Sequence, residues 1–182
     1  LNQKADLMPF LKKYMKYRGA DITPLKQLLN RIIDEKRLRT SPIGFGLVTV
    51  GFPNLIPYEL TKTDIPQGQL TDFLLASASC FPAFPMCKIE GKSYIDGGYY
   101  DNLPINLALK MGAEEVVAVD LDYPPAHWEY LDHPLVTYIK PSWDLGSFLL
   151  FDPTVMAGNT TLGYNDAQKA YGRCLGFRYT FQ

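Results

Sequence analysis

The sequence has no long apolar run and no excess of charge of either sign. No stretch of its 182 residues approaches the roughly 20 consecutive apolar residues that a membrane-spanning helix needs. Lysine and arginine number 18 and acidic residues 19, which leaves a formal net charge of −1. Because proteins that bind nucleic acid usually present a basic face, this balance argues against a nucleic-acid partner.

Cysteine is scarce, and no secretory signal is visible. Cys80, Cys87 and Cys174 form no CxxC pair and cannot all pair with one another, so reduced, buried thiols are expected. The first residues do not resemble a signal peptide. Both features favour a reducing compartment, and we expect a cytoplasmic protein. Since position 1 is Leu instead of Met, we also expect a fragment of a longer chain.

The sequence predicts an α/β fold built on one domain or part of one. Strand and helix patterns alternate along the chain, which is typical of a sheet covered by helices. Helices are predicted at 8–17, 23–33, 70–79, 104–111 and 153–172, and strands at 45–52, 56–60, 86–89, 94–96, 116–119 and 136–139. We expect a three-layer α/β/α sandwich around a mixed, mostly parallel sheet, with strand 116–119 covered on both faces. Residues 122–150 are predicted to be rich in loops.

The most informative motif places an aspartate between a short strand and a new helix. Asp96 ends an apolar strand and is followed by Gly97 and Gly98, which allow a sharp bend and a close backbone approach. Asn102 and Pro104 then supply the cap and first-turn preferences of a helix. An aspartate before glycines is by itself typical of a turn, but this arrangement also holds a carboxylate at a strand end, where it can act in chemistry.

Other polar residues leave weaker alternatives open. His127 and His133 lie in a proline-rich loop without cysteine or carboxylate at ligand spacing, which favours surface histidines. A metal-dependent phosphohydrolase would draw on four aspartates: Asp96, Asp101, Asp120 and Asp122. The sequence has no Walker loop, however, and acidic residues at strand ends are often plain loop residues.

Two apolar segments and one basic helix face suggest possible contacts with lipid. Segments 55–58 and 148–151 have the composition to touch a bilayer or an acyl chain, although core strand and buried loop are the favoured interpretations. The predicted helix at 8–17 carries several lysines, which favours a solvated face over a membrane-binding one.

The aspartate motif resembles that of the patatin-like phospholipases. Their pattern Asp-Gly-Gly followed by Asn-x-Pro is matched by Asp96, Gly97, Gly98, Asn102 and Pro104. Three further segments also resemble the family, in the correct order: the Pro-Leu-x-x-Leu-Leu stretch within 19–38, the alanine- and serine-rich helix end at 75–82, and the closing helix within 151–167.

The resemblance implies a lipid acyl hydrolase with a serine and aspartate dyad in which Asp96 is the base. Gly97 and Gly98 would let the loop pass close to the nucleophile, and Asn102 would brace it. The resemblance implies no cofactor and no metal. Burial against Ile95, Tyr99 and Phe81 would raise the proton affinity of the carboxylate.

The sequence lacks the other half of that machinery. It has neither a Gly-x-Ser-x-Gly turn nor a glycine-rich oxyanion segment. We therefore interpret residues 1–182 as the C-terminal portion of a single patatin-like domain, inactive alone, with the nucleophile upstream. Expected partners are an acyl-ester lipid, the upstream part of the same protein, a transient membrane surface, and a second copy through an exposed sheet edge. A non-catalytic module that binds lipid or protein is the alternative.

Overall fold

The computed structural model describes residues 19–122, 128–130, 132–147, 152–177 and 179–180. The predicted helix at 8–17, His127 and the apolar segment 148–151 lie outside these ranges. The chain divides into two compact units, residues 1–107 and 108–182. Among the described helices, none has both the length and the apolar character needed to cross a bilayer.

The first unit opens with two helices. Helix α1 (Thr23–Ile32) confirms the prediction at 23–33, with Pro24 in its first turn. Just ahead of this turn, the Asp21 Oδ1 accepts a hydrogen bond from the Thr23 N–H at 2.9 Å. Helix α2 (Glu35–Thr40) follows separately because Ile33 is extended and the Asp34 carboxylate accepts from the Arg37 N–H, starting a new helix.

A four-stranded antiparallel sheet forms the centre of the first unit. Its strands are β1 (Gly46–Phe52), β2 (Ile56–Thr61), β3 (Cys87–Ile89) and β4 (Lys92–Asp96), in the order β2-β1-β4-β3. The predicted strands are confirmed, but the prediction of a mostly parallel sheet is wrong for these four. The connections of β1 to β2 and of β3 to β4 are only a few residues long, and parallel pairing needs a much longer crossover.

Helix α3 (Leu70–Ser77) confirms the helix predicted at 70–79, and it packs on one face of this sheet. The core between them consists of buried apolar side chains: Leu47, Ile65, Leu70, Phe73, Leu75, Ala76, Cys87, Ile89 and Tyr94. Val48 and Val50 alternate with Leu47 and Thr49 along β1, and all four are buried. Strand β1 is therefore covered on both faces, and it is the most protected strand of the sheet.

The second unit contains the one parallel strand pair in the described residues. Helix α4 (Ile105–Lys110) spans the boundary between the units, and β5 (Val116–Val119) then pairs with β6 (Val136–Ile139). The prediction that strand 116–119 is buried on both faces is wrong, because Val117 and Val119 are 52% and 61% exposed. Alternate residues of a strand point to opposite faces, so one face of β5 is open.

The closing helix α5 (Pro153–Ala170) confirms the prediction at 153–172. The carboxylate of Asp152 caps it by accepting from two backbone N–H groups of the first turn. Near its other end, the buried carboxylate of Asp166 accepts from the Ser142 N–H and hydroxyl at 3.0 and 2.5 Å, and Lys169 pairs with it at 3.2 Å. This cluster fastens the segment after β6 to the helix.

Candidate active site

Asp96 lies at the end of β4, where the two flanking segments fix its backbone. Its N–H donates to the carbonyl of Ser79, just beyond α3, at 2.9 Å. On the other side, Thr49 of β1 is its register partner, and the Thr49 hydroxyl donates to the Ile95 carbonyl at 2.8 Å. Ser79 and Thr49 are 1% and 0% exposed. Because these anchors are buried, the strand end that carries Asp96 is held in one position.

The two glycines after Asp96 begin a 3₁₀ turn, and the first of them lies where no Cβ fits. The turn spans Gly97–Tyr99, and the Gly98 N–H donates to the Asp96 Oδ1 at 2.7 Å. A Cβ on Gly97 would lie 2.2 Å from the Val48 carbonyl oxygen, far inside contact distance. The close backbone approach expected of the paired glycines is therefore made by Gly97 against β1.

The Asp96 carboxylate is partly buried, and this burial raises its pKa above the ordinary aspartate value. The hydrogen bond from the Gly98 N–H opposes the rise without cancelling it. Burial also raises the pKa of the Cys80 thiol, and the charge of Asp96 raises it further, which places Cys80 within the field of the carboxylate. The site therefore keeps Asp96 at a proton affinity higher than in water.

Ile95, Tyr99 and Phe81 were expected to bury Asp96 as apolar walls, and the structure supports this expectation only in part. Ile95 is buried, but it directly precedes Asp96 on β4 and so points to the opposite face of the strand. Phe81 is half-buried. Tyr99 is 55% exposed, so it does not close the site, and its hydroxyl donates to the Phe81 carbonyl. Tyr99 thus ties the turn after Asp96 to the segment after α3 instead of acting as an apolar wall.

No described serine offers its hydroxyl to Asp96. The Ser79 hydroxyl is buried and donates to the Leu75 carbonyl at 2.6 Å. Ser93 precedes Asp96 on β4 by an odd number of residues, so it points to the opposite face of the strand. The carboxylate accepts a hydrogen bond from the Gly98 backbone N–H. The site therefore has a candidate base, and the described residues show no serine hydroxyl bonded to it.

The segment after the glycine turn leads to α4. The Cβ of Asn102 lies 3.6 Å from the point that a Cβ on Gly98 would occupy, so Asn102 packs against the turn. The Asp101 Oδ1 accepts from the Leu103 N–H at 3.0 Å, and α4 begins at Ile105, just after Pro104. Sequence reasoning did not identify the anchoring roles of Thr49 and Ser79. A threonine inside the apolar run of β1 was the available signal for the first of them.

The weaker candidate residues are engaged in local contacts. The His133 Nδ1 accepts from the Leu135 N–H at 3.3 Å. Asp120 accepts from the Tyr138 hydroxyl at 2.6 Å, and Asp122 pairs with Lys140 at 2.8 Å. The described part of the chain contains no group of three or more His, Cys, Asp or Glu side chains able to hold a metal ion.

Curated proteins similar to this chain are fungal lysophospholipases. Proteins named Lysophospholipase NTE1 match it at 38% identity over 55 residues in Candida albicans, 39% over 54 residues in Mycosarcoma maydis and 41% over 49 residues in Meyerozyma guilliermondii. The matched parts cover 27–30% of this chain but only 3–4% of these relatives. The chain thus corresponds to a small part of much longer proteins.

A family model covers more of the sequence. The model described as Patatin-like phospholipase matches residues 2–109, which is more than half of the chain. The match contains the first unit, with α3, the Asp-Gly-Gly turn and the start of α4. The match and the motif around Asp96 agree, and the chain belongs to the patatin-like phospholipase family.

Proposed function

We propose that this chain supplies the catalytic aspartate of a lipid acyl hydrolase, with Asp96 as the general base. The observation that carries the proposal is a partly buried carboxylate with a raised pKa, fixed at a strand end by Ser79 and by the Gly98 N–H. A base works best when its pKa lies closer to the operating pH, which favours a raised value for a carboxylate. The family and the lysophospholipase relatives support lipid esters as substrates.

In the proposed reaction, Asp96 accepts the proton of a serine hydroxyl as that oxygen attacks the ester carbonyl carbon. The tetrahedral intermediate then collapses, the C–O bond to the alcohol breaks, and Asp96 returns the proton to the departing alcohol. Water, deprotonated by the same carboxylate, then attacks the acyl carbon of the acyl-enzyme. The bond to the serine oxygen breaks, Asp96 returns the proton to that oxygen, and the fatty acid leaves. Because the sequence holds no Gly-x-Ser-x-Gly, we propose that the serine and the oxyanion donors precede Leu1 in the full-length protein.

We further propose that residues 1–182 are the C-terminal portion of one patatin-like domain with a three-layer arrangement. Strand β1 is buried on both faces, and α3 covers one of them, as an inner strand of a layered sheet would require. The four described antiparallel strands then form one part of the complete sheet. In this proposal, the missing segments complete the site next to Asp96.

The full-length protein provides the test. Fatty acid release is measured from a lysophospholipid, a diacyl phospholipid and a p-nitrophenyl ester, with and without a fluorophosphonate that modifies activated serines. We expect hydrolysis that the fluorophosphonate abolishes, and neither hydrolysis nor labelling with the 182-residue chain. Hydrolysis by the chain alone would contradict the upstream serine. A full-length protein that binds lipid without releasing fatty acid would support the non-catalytic alternative.

A further inference from the structure

The turn between β1 and β2 presents large apolar side chains to solvent. Phe52, Leu55 and Ile56 are 42%, 60% and 49% exposed, although segment 55–58 was expected to be a core strand. Leu55 also has φ of 53°, in the left-handed region that glycine and asparagine occupy more readily than leucine. Leu55 is therefore a bulky apolar residue that is exposed to solvent and has a backbone conformation unfavourable for leucine.

A second hairpin brings positive charge to the same end of the sheet. Ser93 of β4 lies opposite Phe52, and Lys92 lies opposite Ile89 across the turn that joins β3 and β4. Both turns therefore lie at one end of the sheet. Lys88, Glu90 and Lys92 are all exposed there, and Glu90 accepts a hydrogen bond from the neutral Gln69 side chain at 2.6 Å. With two lysines and one glutamate, residues 88–92 carry a net charge of +1.

The two hairpins enclose a shallow cavity of about 210 Å³. Phe52 and Ile56 line it together with Tyr58 and Tyr94, and Lys92 adds a cation. Residues 51–57 contain no charged side chain. Exposed apolar side chains at a turn, with exposed lysines beside them, match the acyl chains and the anionic head groups of a bilayer.

We propose that this hairpin tip, residues 51–57 with 88–92, docks on an anionic phospholipid surface. Leu55, Phe52 and Ile56 would enter the boundary between head groups and acyl chains, and Lys88 and Lys92 would contact lipid phosphates. Asp96 lies three residues beyond Ser93 on β4, about 10 Å along the strand. This proposal rests on the proposed function, because docking would hold a lipid hydrolase at the membrane that contains its substrate.

Vesicle binding tests the proposal in the full-length protein carrying Asp96→Asn, so that hydrolysis does not consume the lipid. The main variant is Leu55→Asn, because asparagine tolerates the left-handed backbone and should keep the fold. The matched control is Ile43→Asn, since Ile43 precedes β1 and is 76% exposed. Lys92→Glu tests the charge. Binding is measured by co-sedimentation with phosphatidylcholine vesicles that contain or lack phosphatidylserine.

We expect Leu55→Asn to weaken binding about tenfold, because an apolar side chain no longer enters the bilayer. Lys92→Glu should weaken binding to phosphatidylserine vesicles alone, and Ile43→Asn should have no effect. Equal binding by Leu55→Asn and the unsubstituted parent would overturn the proposal, as would an equal loss with Ile43→Asn. A change in dimerisation with no change in vesicle binding would assign the tip to a second copy of the chain instead.

Activity on a soluble ester separates a loss of membrane docking from a loss of the proposed hydrolase activity. With Asp96 intact, Leu55→Asn should hydrolyse a monomeric p-nitrophenyl ester at the normal rate while losing activity on vesicles. If the full-length protein hydrolyses no ester but binding still depends on Leu55 and Lys92, the docking surface stands and the hydrolase assignment falls.

Discussion

Replacement of Asp96 by asparagine should lower kcat/KM for ester hydrolysis by the full-length protein about 10³-fold. Asparagine has nearly the shape of aspartate, and its side-chain oxygen can still accept the hydrogen bond from the Gly98 N–H. It cannot take a proton from a serine hydroxyl at neutral pH. The variant should therefore keep the geometry of the glycine turn and lose only the basic carboxylate. Steady-state kinetics with a soluble p-nitrophenyl ester measure the effect.

The stability of the same variant separates a catalytic role from a structural one. Burial raises the Asp96 pKa, so between the ordinary value of 3.8 and the raised value the folded chain binds more protons than the unfolded chain. Folding stability contributed by this group then falls as pH rises through that window, and the ionised carboxylate remains destabilising above it. Asp96→Asn removes that penalty, so its Tm at neutral pH should equal or exceed the wild-type value.

Asp144 provides a matched control for this experiment. Its carboxylate is exposed and accepts from the Gly146 N–H at 2.7 Å, the same local hydrogen bond that Asp96 makes with Gly98. Asp144→Asn should leave kcat/KM within about twofold of wild type, because it removes an exposed charge that is not part of the Asp-Gly-Gly motif. Equal values of kcat/KM for Asp96→Asn and Asp144→Asn would show that Asp96 is not the catalytic base. A collapse of Tm in Asp96→Asn would assign it a structural role.

Gly97→Ala should destabilise the first unit by about 2–3 kcal/mol. The added Cβ would lie 2.2 Å from the carbonyl oxygen of Val48, and that atom belongs to the buried backbone of β1. Neither group is a flexible side chain end, so β1 and the glycine turn must separate. The displacement would also move Asp96, and activity should fall together with Tm. Urea unfolding followed by circular dichroism gives the free energy change.

Gly158→Ala is the control for Gly97→Ala. Gly158 lies inside α5, and no described atom beyond its chain neighbours and the nearby backbone of its own helix comes within 4 Å of the position of its Cβ. Alanine at that position should stabilise the helix by about 0.5–1 kcal/mol, because glycine loses more backbone entropy on folding. The two identical substitutions are thus expected to have opposite signs. Equal effects at both positions would mean that the contact of Gly97 with Val48 does not constrain the fold.

Local signals in the sequence predicted most elements, whereas strand direction and exposure depend on contacts between distant segments. Proline near the start of α1 and Asp152 ahead of α5 define helix starts through neighbouring residues alone. The antiparallel pairing of β1 with β4 depends on residues far apart in the sequence. Apolar composition also failed to distinguish core from surface, since Ile56 and Val117 are about half exposed.

The candidate site, like the fold, could be predicted from the sequence only in part. Asp96 stood out because paired glycines and a proline-marked helix follow it within a few residues. Its anchors Thr49 and Ser79 come from separate elements, and only folding brings them to the end of β4. Burial of the carboxylate, and hence the direction of its pKa shift, also arises from this packing. The sequence therefore identified Asp96 as a candidate, but it did not predict which residues anchor it.

The pH dependence of kcat/KM for a soluble ester tests most directly whether Asp96 is the base. Activity requires the ionised carboxylate, so kcat/KM should fall as pH decreases through the Asp96 pKa. We predict an acid limb with a midpoint above the ordinary aspartate value of 3.8, present in wild type and in Asp144→Asn. A profile that stays flat from neutral pH down to about pH 4 would contradict the account.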